Sequence, residues 1–164
     1  MKKYLKKLIY LQILLISLPS WGASMVGRLG IGMTNHLISS QKAISLKLQR
    51  NRSTAFGGHF AMDSSSDGMS YALGLKGYKY IYEEPQLNFY SALSATYLTY
   101  INQEEETESG YQVDGVFGTE FSFQGLESVG FSFEFGMSMY QYETKTHIST
   151  IGHNILAAAV HFYL

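Results

Sequence analysis

Apolar and polar side chains alternate with period two along most of the chain. In residues 111–125, YQVDGVFGTEFSFQG, one register is almost wholly apolar or aromatic, and the other carries Asp114 and Glu120 among further polar groups. Side chains of a β-strand point alternately to opposite faces, so this segment predicts a strand with two unlike faces. The same alternation predicts eight strands, at Met25–Met33, Lys42–Gln49, Thr54–Met62, Met69–Tyr82, Leu87–Ile101, Tyr111–Gln124, Val129–Tyr142 and His153–Leu164.

The connections between these strands alternate in length. Those after strands two, four and six are short, RNRS, EEPQ and GLES, whereas the other four are TNHLISSQ, DSSSDG, NQEEETESG and ETKTHISTIG. Outer-membrane barrels combine short periplasmic turns with longer outside loops, and an even strand number returns both ends of the barrel to one side. The pattern therefore predicts an all-β protein, an eight-stranded antiparallel up-and-down transmembrane β-barrel.

The two faces of the predicted strands differ in size as well as polarity. The apolar faces carry large side chains, whereas the opposite faces mix Gly, Ala and Ser with charged or titratable groups. These groups are Arg28, Lys47, His59, Lys76, Asp114, Glu120, Glu134 and His161. An eight-stranded barrel is just wide enough for side chains to fill it, and enclosed charges need partners. We therefore expect an interior charge network that plugs the barrel, with three cations, three carboxylates and two histidines.

A soluble periplasmic, lipocalin-like binding protein is the alternative, with the apolar faces inward and the charges in water. That arrangement gives no steric reason for the many small residues on the polar faces. It also leaves unexplained the aromatic residues near the strand ends, which fit the girdles of a membrane barrel. These are Tyr80, Tyr82, Phe89, Tyr100 and Tyr111.

The first 22 residues have the layout of a secretory signal peptide. Four lysines precede an apolar run from Leu8 to Leu18, and Pro19 and small residues lead to a predicted cut after Gly22. The run is shorter than the roughly 20 apolar residues of a spanning helix, although an uncleaved amphipathic anchor is an alternative. The predicted organisation is a signal peptide at 1–22 and a barrel at 23–164, exported to the periplasm and inserted in the outer membrane.

Charge and composition narrow the class of partner. The 164-residue chain has 12 basic and 13 acidic residues, and loss of the leader's four lysines leaves a net charge of −5. An acidic chain gives no reason to expect nucleic acid as partner. The absence of cysteine excludes a disulfide framework. We expect a monomer without a cofactor.

The sequence resembles the small outer-membrane β-barrels of Gram-negative bacteria, the outer-membrane-protein-A-like and X-like family. The resemblance is carried by GRLGIG in the first strand, by GTEFSFQGLESVGFSFEFG as a central hairpin and by AAAVHFYL at the end. It implies outer-membrane lipids and lipopolysaccharide as surroundings, and recognition of the last strand by the outer-membrane assembly machinery. The final residue is Leu164 where the family commonly has an aromatic one, but Phe162 keeps an aromatic side chain in the outward register.

Some small barrels of this kind modify lipid A, and the deacylases among them use a His-x-Ser pair with a downstream glutamate. His147 and Ser149 resemble that pair, but no glutamate follows Glu143. We therefore expect no enzymatic activity, no metal site and no cofactor, with the deacylase-like enzyme as an alternative. The expected function is a structural or surface-interaction role through four outside loops.

Overall fold

A computed structural model describes residues 25–39, 41–65, 68–101, 107–142, 145–151 and 156–164. The predicted signal peptide therefore lies outside the described residues. Within the described part of the chain, no helix has the length and apolar character needed to cross a bilayer.

In the part of the chain that the structure describes, nine strands form one closed antiparallel sheet. They are β1 Leu29–Thr34, β2 Ala43–Gln49, β3 Thr54–Ser65, β4 Gly68–Glu84, β5 Leu87–Ile101, β6 Thr107–Phe123, β7 Leu126–Tyr142, β8 Lys145–Thr150 and β9 Ala157–Tyr163. Neighbours in sequence pair from β1 to β7, and β9 closes the ring by pairing with both β7 and β1. The predicted eight-stranded antiparallel barrel is confirmed.

The eighth position of the barrel is shared by two strands. β8 pairs with the second half of β7, from Met137 to Tyr142, and β9 pairs with the first half, from Val129 to Glu134. Residues 145–150 were predicted to lie in the long connection ETKTHISTIG. Their polar side chains are mostly exposed, so backbone pairing with β7 defines this strand and the hydrophobic alternation does not.

The barrel has two distinct ends. One end carries the short connections after β2, β4 and β6, together with the first and last described residues; we call it the short-turn end. Arg28 and Tyr163 are joined there by a hydrogen bond, and the Leu164 N–H donates to the Leu29 carbonyl. The opposite end carries the longer connections, and we call it the long-loop end.

The apolar side chains point outward and the charged ones inward. Phe117 is 56% exposed and Phe133 38% exposed, whereas Glu120 and Glu134 are 2% and 4% exposed. The outward side chains are mainly those of Leu, Ile, Met and Phe. The alternative with the apolar faces inward is therefore wrong, because the barrel encloses the other register of each strand.

Small residues inside the barrel make room for large ones. A Cβ atom on Gly118 would lie 2.6 Å from the Tyr90 ring, and one on Gly74 would lie 2.2 Å from His59 Nε2. Such contacts are far shorter than real Cβ atoms allow. The interior is thus packed against its glycines, as expected for a narrow barrel.

Aromatic residues on the outer wall form a group near each end, with the pair Phe117 and Phe135, whose ring centroids are 6.1 Å apart, between the two groups. Near the long-loop end, the Tyr97 ring lies 6.2 Å from Tyr71 and 5.5 Å from Tyr111. Near the short-turn end, Phe121 stacks on Phe131 and Phe133 at 5.7 Å.

The aromatic residues that were predicted to form girdles divide between the two faces. Tyr82 packs on Phe89 at the short-turn end, and Tyr111 is exposed on the outer wall. Tyr80 does not belong to this set, since it shares the inward register of Lys76 and is 5% exposed. The side chain of Tyr100 lies outside the described part.

Candidate functional site

The interior of the short-turn half is organised around Glu120. The Lys47 ammonium donates a hydrogen bond to Glu120 Oε2 over 2.8 Å, and the ion pair is fully buried. Three hydroxyls complete the shell of the carboxylate: Tyr163 and Ser132 donate to Oε1, and Tyr80 donates to Oε2. Each oxygen thus has several donors, which a buried carboxylate needs to offset its lost hydration.

Aromatic rings surround the cation of this pair. Lys47 Nζ lies 4.6, 5.5 and 5.0 Å from the ring centroids of Tyr78, Tyr80 and Tyr90. An ammonium near an aromatic face is attracted by the ring quadrupole, and the attraction grows where water is excluded. The lysine is therefore held by one carboxylate and three tyrosines.

A second ion pair lies next to the first. Lys76 Nζ is 2.5 Å from Glu134 Oε2, and the Tyr90 hydroxyl donates to Glu134 Oε1 over 2.8 Å. The Tyr90 ring faces Lys47 while its hydroxyl bonds Glu134, so this side chain links the two pairs.

The third carboxylate has neutral partners. Ser94 and Gln112 donate to Asp114 over 2.6 and 2.8 Å, and no ion pair to Asp114 is present among the described residues. The described lumen therefore encloses two lysines and three carboxyl groups, instead of the equal numbers expected.

Gln112 also anchors the first long loop inside the barrel mouth. Its side-chain oxygen accepts the Ile38 N–H over 3.1 Å, and its amide nitrogen lies 3.4 Å from the His36 carbonyl. Leu37 between them is buried in a cluster with Ala43, Ala61, Ala72 and Leu98. The loop thus inserts an apolar side chain into the long-loop end of the lumen.

Both predicted interior histidines lie in the lumen with hydroxyl partners. His59 Nε2 is 2.8 Å from Thr96 Oγ1, and His161 Nε2 is 2.9 Å from Ser45 Oγ. His36 packs edge-on against the His59 ring at 4.3 Å. Within the described residues, no group of three or more His, Asp or Glu side chains is arranged to hold a metal ion.

Arg28 lies outside this network. It was expected inside the barrel on the first strand, but β1 begins only at Leu29. The preceding residues form a turn, with Gly27 at a φ of 81° and the Arg28 N–H bonded to the Met25 carbonyl. The guanidinium consequently lies at the short-turn rim, where it donates to the Tyr163 carbonyl and to Ser128 Oγ.

His147 and Ser149 do not form a nucleophile and base pair. Both lie on β8, where His147 stacks on Tyr140 at a centroid distance of 5.3 Å. Ser149 Oγ is buried without a hydrogen-bond partner in the described part. An activated serine requires a base within hydrogen-bond reach, so this geometry gives the deacylase-like alternative no support.

Little space is left among the interior side chains. The cavity bounded by His36, His59, Lys76, Glu134 and His161 has a volume of about 10 Å³. That is roughly the room that one water molecule requires.

Sequence reasoning missed the polar residues that complete the network. The charged positions were found from their register, but their partners Tyr78, Tyr80, Tyr90, Gln112 and Tyr163 were not. A signal was present, because Tyr78 and Tyr80 share the inward register of Lys76 on one strand. Which hydroxyl reaches which carboxylate depends on pairing across the barrel, which no local pattern specifies.

Comparison with known proteins supports the fold. The structure is similar to the crystal structure of the N-terminal β-barrel domain of Pseudomonas aeruginosa OprF, with a TM-score of 0.61 and 10% sequence identity. The match covers 85% of this chain and 98% of that chain. No protein-family model matches the sequence, and a search of curated proteins found no match. The chain thus has the fold of that barrel domain.

Proposed function

We propose that the chain is an outer-membrane β-barrel protein with a filled, non-conducting lumen and a structural or surface-interaction role. The observation that carries this proposal is the inverted placement of the two faces, with apolar side chains on the outside and ion pairs within. A monomeric protein in water rarely exposes an apolar surface of this extent, whereas hydrocarbon solvates it.

The height of the apolar wall supports membrane insertion. Phe121 follows Tyr111 by ten residues on β6. At roughly 3.3 Å per residue and a strand tilt of about 40°, this spacing corresponds to about 25 Å of barrel height. Outer-membrane barrels have an apolar band of about 25 Å between aromatic girdles, so the two aromatic groups fit the two lipid–water interfaces.

Fractionation tests the proposal directly. We expect the protein to sediment with membranes, to stay there after a high-salt wash, and to migrate faster on a gel before boiling than after it. Recovery in the supernatant without detergent would overturn the proposal. Mass spectrometry of the mature protein tests the leader separately, with an amino terminus at Ala23 expected.

Protease treatment of intact cells tests the orientation. We propose that the long loops face outside, so a glutamate-specific protease should cut within 104–108 on intact cells. The Glu83–Glu84 bond, at the end of β4 next to a short turn, should be cut only after the outer membrane is permeabilised. The reverse order would show that the barrel is inserted the other way round.

Planar-bilayer recording tests whether the lumen is filled. In a planar bilayer we expect no stepwise conductance from the reconstituted barrel, because the interior cavity holds about one water.

We further propose that the assembly machinery recognises the last strand, where Phe162 points outward. Phe162→Ala should lower the amount of folded barrel in cells, while the purified variant refolds in detergent.

A further inference from the structure

An apolar groove lies on the described part of the outer wall. It crosses β3 to β7, has a volume of about 760 Å³, and is lined by Phe56, Gly77, Leu93, Gly115, Phe117 and Met137 among others. Pockets that hold small molecules span roughly 300–1,000 Å³. The groove is thus large enough to take part of a lipid.

Two outward glycines open this groove, and packing does not require them. A Cβ atom on Gly77 would meet no atom within 4 Å, and one on Gly115 would meet only the Leu93 side chain, at 3.7 Å. The interior Gly118 is different, since the Tyr90 ring lies against it. A Cβ atom would fit at either outward position, so these glycines leave open space on a wall of large side chains.

One end of the groove is polar and cationic. Thr54 pairs with Lys79 and Lys79 pairs with Ser91 across three neighbouring strands, and all three residues line the groove. Lys79 is exposed, and no ion pair to it is present among the described residues. Along β4 it follows the outward residues Leu73, Leu75 and Gly77.

The polar end faces the short-turn side of the barrel. Lys79 precedes Tyr82 by three residues, and Tyr82 packs on Phe89 in the aromatic group there. A lysine side chain extends its ammonium to the interface while its methylenes stay on apolar surface. The groove therefore runs from a cation at the interface toward Gly77 and Gly115 near mid-height.

We propose that this groove binds one glycerophospholipid from the membrane leaflet at the short-turn end. The phosphate would contact Lys79, Thr54 and Ser91, and an acyl chain would lie over Gly77 and Gly115. The inference rests on the membrane insertion proposed above, and it adds a specific lipid site to it. Charge complementarity carries the assignment, because phospholipid phosphate is the anion present at that depth.

A second copy of the chain fits the groove less well. Its wall would have to bring an anion to Lys79. Between the two aromatic groups, the described outward positions carry no acidic side chain, since Asp114, Glu120 and Glu134 are enclosed. A lipid of the opposite leaflet would place its phosphate at the wrong end of the groove.

Native mass spectrometry of the full mature barrel tests the proposal. The protein is reconstituted in vesicles of phosphatidylethanolamine and phosphatidylglycerol and released into mild detergent. We expect one retained phospholipid per wild-type barrel. Lys79→Gln should lower the retained fraction at least fivefold, and Lys79→Arg should preserve it.

A second pair of variants tests the groove by filling it, with the same mass-spectrometric measurement. Gly77→Leu should abolish retention, because its side chain occupies the acyl path and its Cβ atom meets no atom within 4 Å. Ala95→Leu is the control: it places a leucine on the outer wall outside the groove lining and should leave retention unchanged. Diacylglycerol, which lacks phosphate, should fail to displace the phospholipid.

The outcomes separate this inference from the proposed function. Heat-modifiability is measured for each variant in the same vesicles. A wild-type protein that does not insert would overturn both. If all variants insert and Lys79→Gln and Gly77→Leu retain phospholipid like the wild type, the site alone is refuted. Barrel dimers that hold no phospholipid, or displacement of the phospholipid by diacylglycerol, would also refute it.

Discussion

Two regions of the lumen are built on different chemistry. One holds the ion pairs of Glu120 with Lys47 and of Glu134 with Lys76 among tyrosines, whereas in the other Asp114 has neutral hydrogen-bond donors. Removing one member of a buried ion pair leaves the other charge buried without a partner, while removing a carboxylate with neutral partners leaves no opposite charge behind. The ion-paired region should therefore tolerate single substitutions poorly, and the region around Asp114 should tolerate them better.

The largest effect is expected for Glu120→Leu. The substitution leaves the Lys47 ammonium buried without a carboxylate and removes the acceptor for two tyrosines. We expect the free energy of unfolding to fall by about 3–5 kcal/mol, measured by urea titration in lipid vesicles. The double variant Lys47→Met/Glu120→Leu is the control and should recover most of the loss. A double variant no more stable than the single one would contradict the paired arrangement.

A somewhat smaller loss is expected for Lys76→Leu. The substitution leaves the Glu134 carboxylate without its cation, but the Tyr90 hydroxyl still donates to that carboxylate. The Lys76 and Glu134 side chains are each about 5% exposed, so water can reach this site more easily than the first pair. We expect a decrease of about 3 kcal/mol in the same titration. If neither Lys76→Leu nor Glu120→Leu changes the free energy of unfolding, the plug of ion pairs is refuted.

Asp114→Asn should have a smaller effect and tests the two regions against each other. Ser94 can still donate to the amide oxygen, but the amide nitrogen then faces the Gln112 amide nitrogen, which is also a donor. We expect a loss of about 1–2 kcal/mol. The matched change Glu120→Gln removes a negative charge beside Lys47 and should cost clearly more. Equal losses in the two variants would mean that the two regions do not differ in this way.

The smallest and most local effect is expected for Gln112→Ala. The variant loses the acceptor of the Ile38 N–H, so this amide should exchange with solvent roughly two- to tenfold faster, the change that corresponds to about 0.5–1.5 kcal/mol. Hydrogen-exchange mass spectrometry of the first loop measures it. Ser45→Ala is the control and should leave that loop unchanged. Unaltered exchange in Gln112→Ala would refute the anchoring of the loop by this side chain.

Much of the architecture was accessible from local pattern. A strand places alternate side chains on opposite faces, so the inward register of Lys76 and the outward register of Phe117 follow from spacing alone. The prediction was least accurate where the apolar period ends. β6 starts at Thr107 instead of Tyr111, and β7 at Leu126 instead of Val129. Beyond the apolar zone the ladder is continued by backbone hydrogen bonds, which leave little trace in side-chain polarity.

In the interior, too, local pattern predicts which face a side chain lies on, but it does not predict which side chain it contacts. Register assigns Lys47 and Glu120 to the enclosed face, but 73 positions separate them in the chain. Their pairing depends on the curvature of the closed sheet. Tyr80 illustrates the point, because it was expected at a lipid interface, whereas its hydroxyl bonds Glu120 inside the barrel.

Local sequence pattern determined the strand periodicity and the two unlike faces, because these depend on neighbours along one strand. The succession of strands and connections along the chain determined the number of positions around the barrel. Tertiary structure decided which cation meets which carboxylate, the division of the last position between β8 and β9, and the place of Arg28 at the rim. It also decided the groove beside Lys79, since its walls come from five strands. These features depend on distances between segments remote in the chain, and those distances exist only once the sheet has closed.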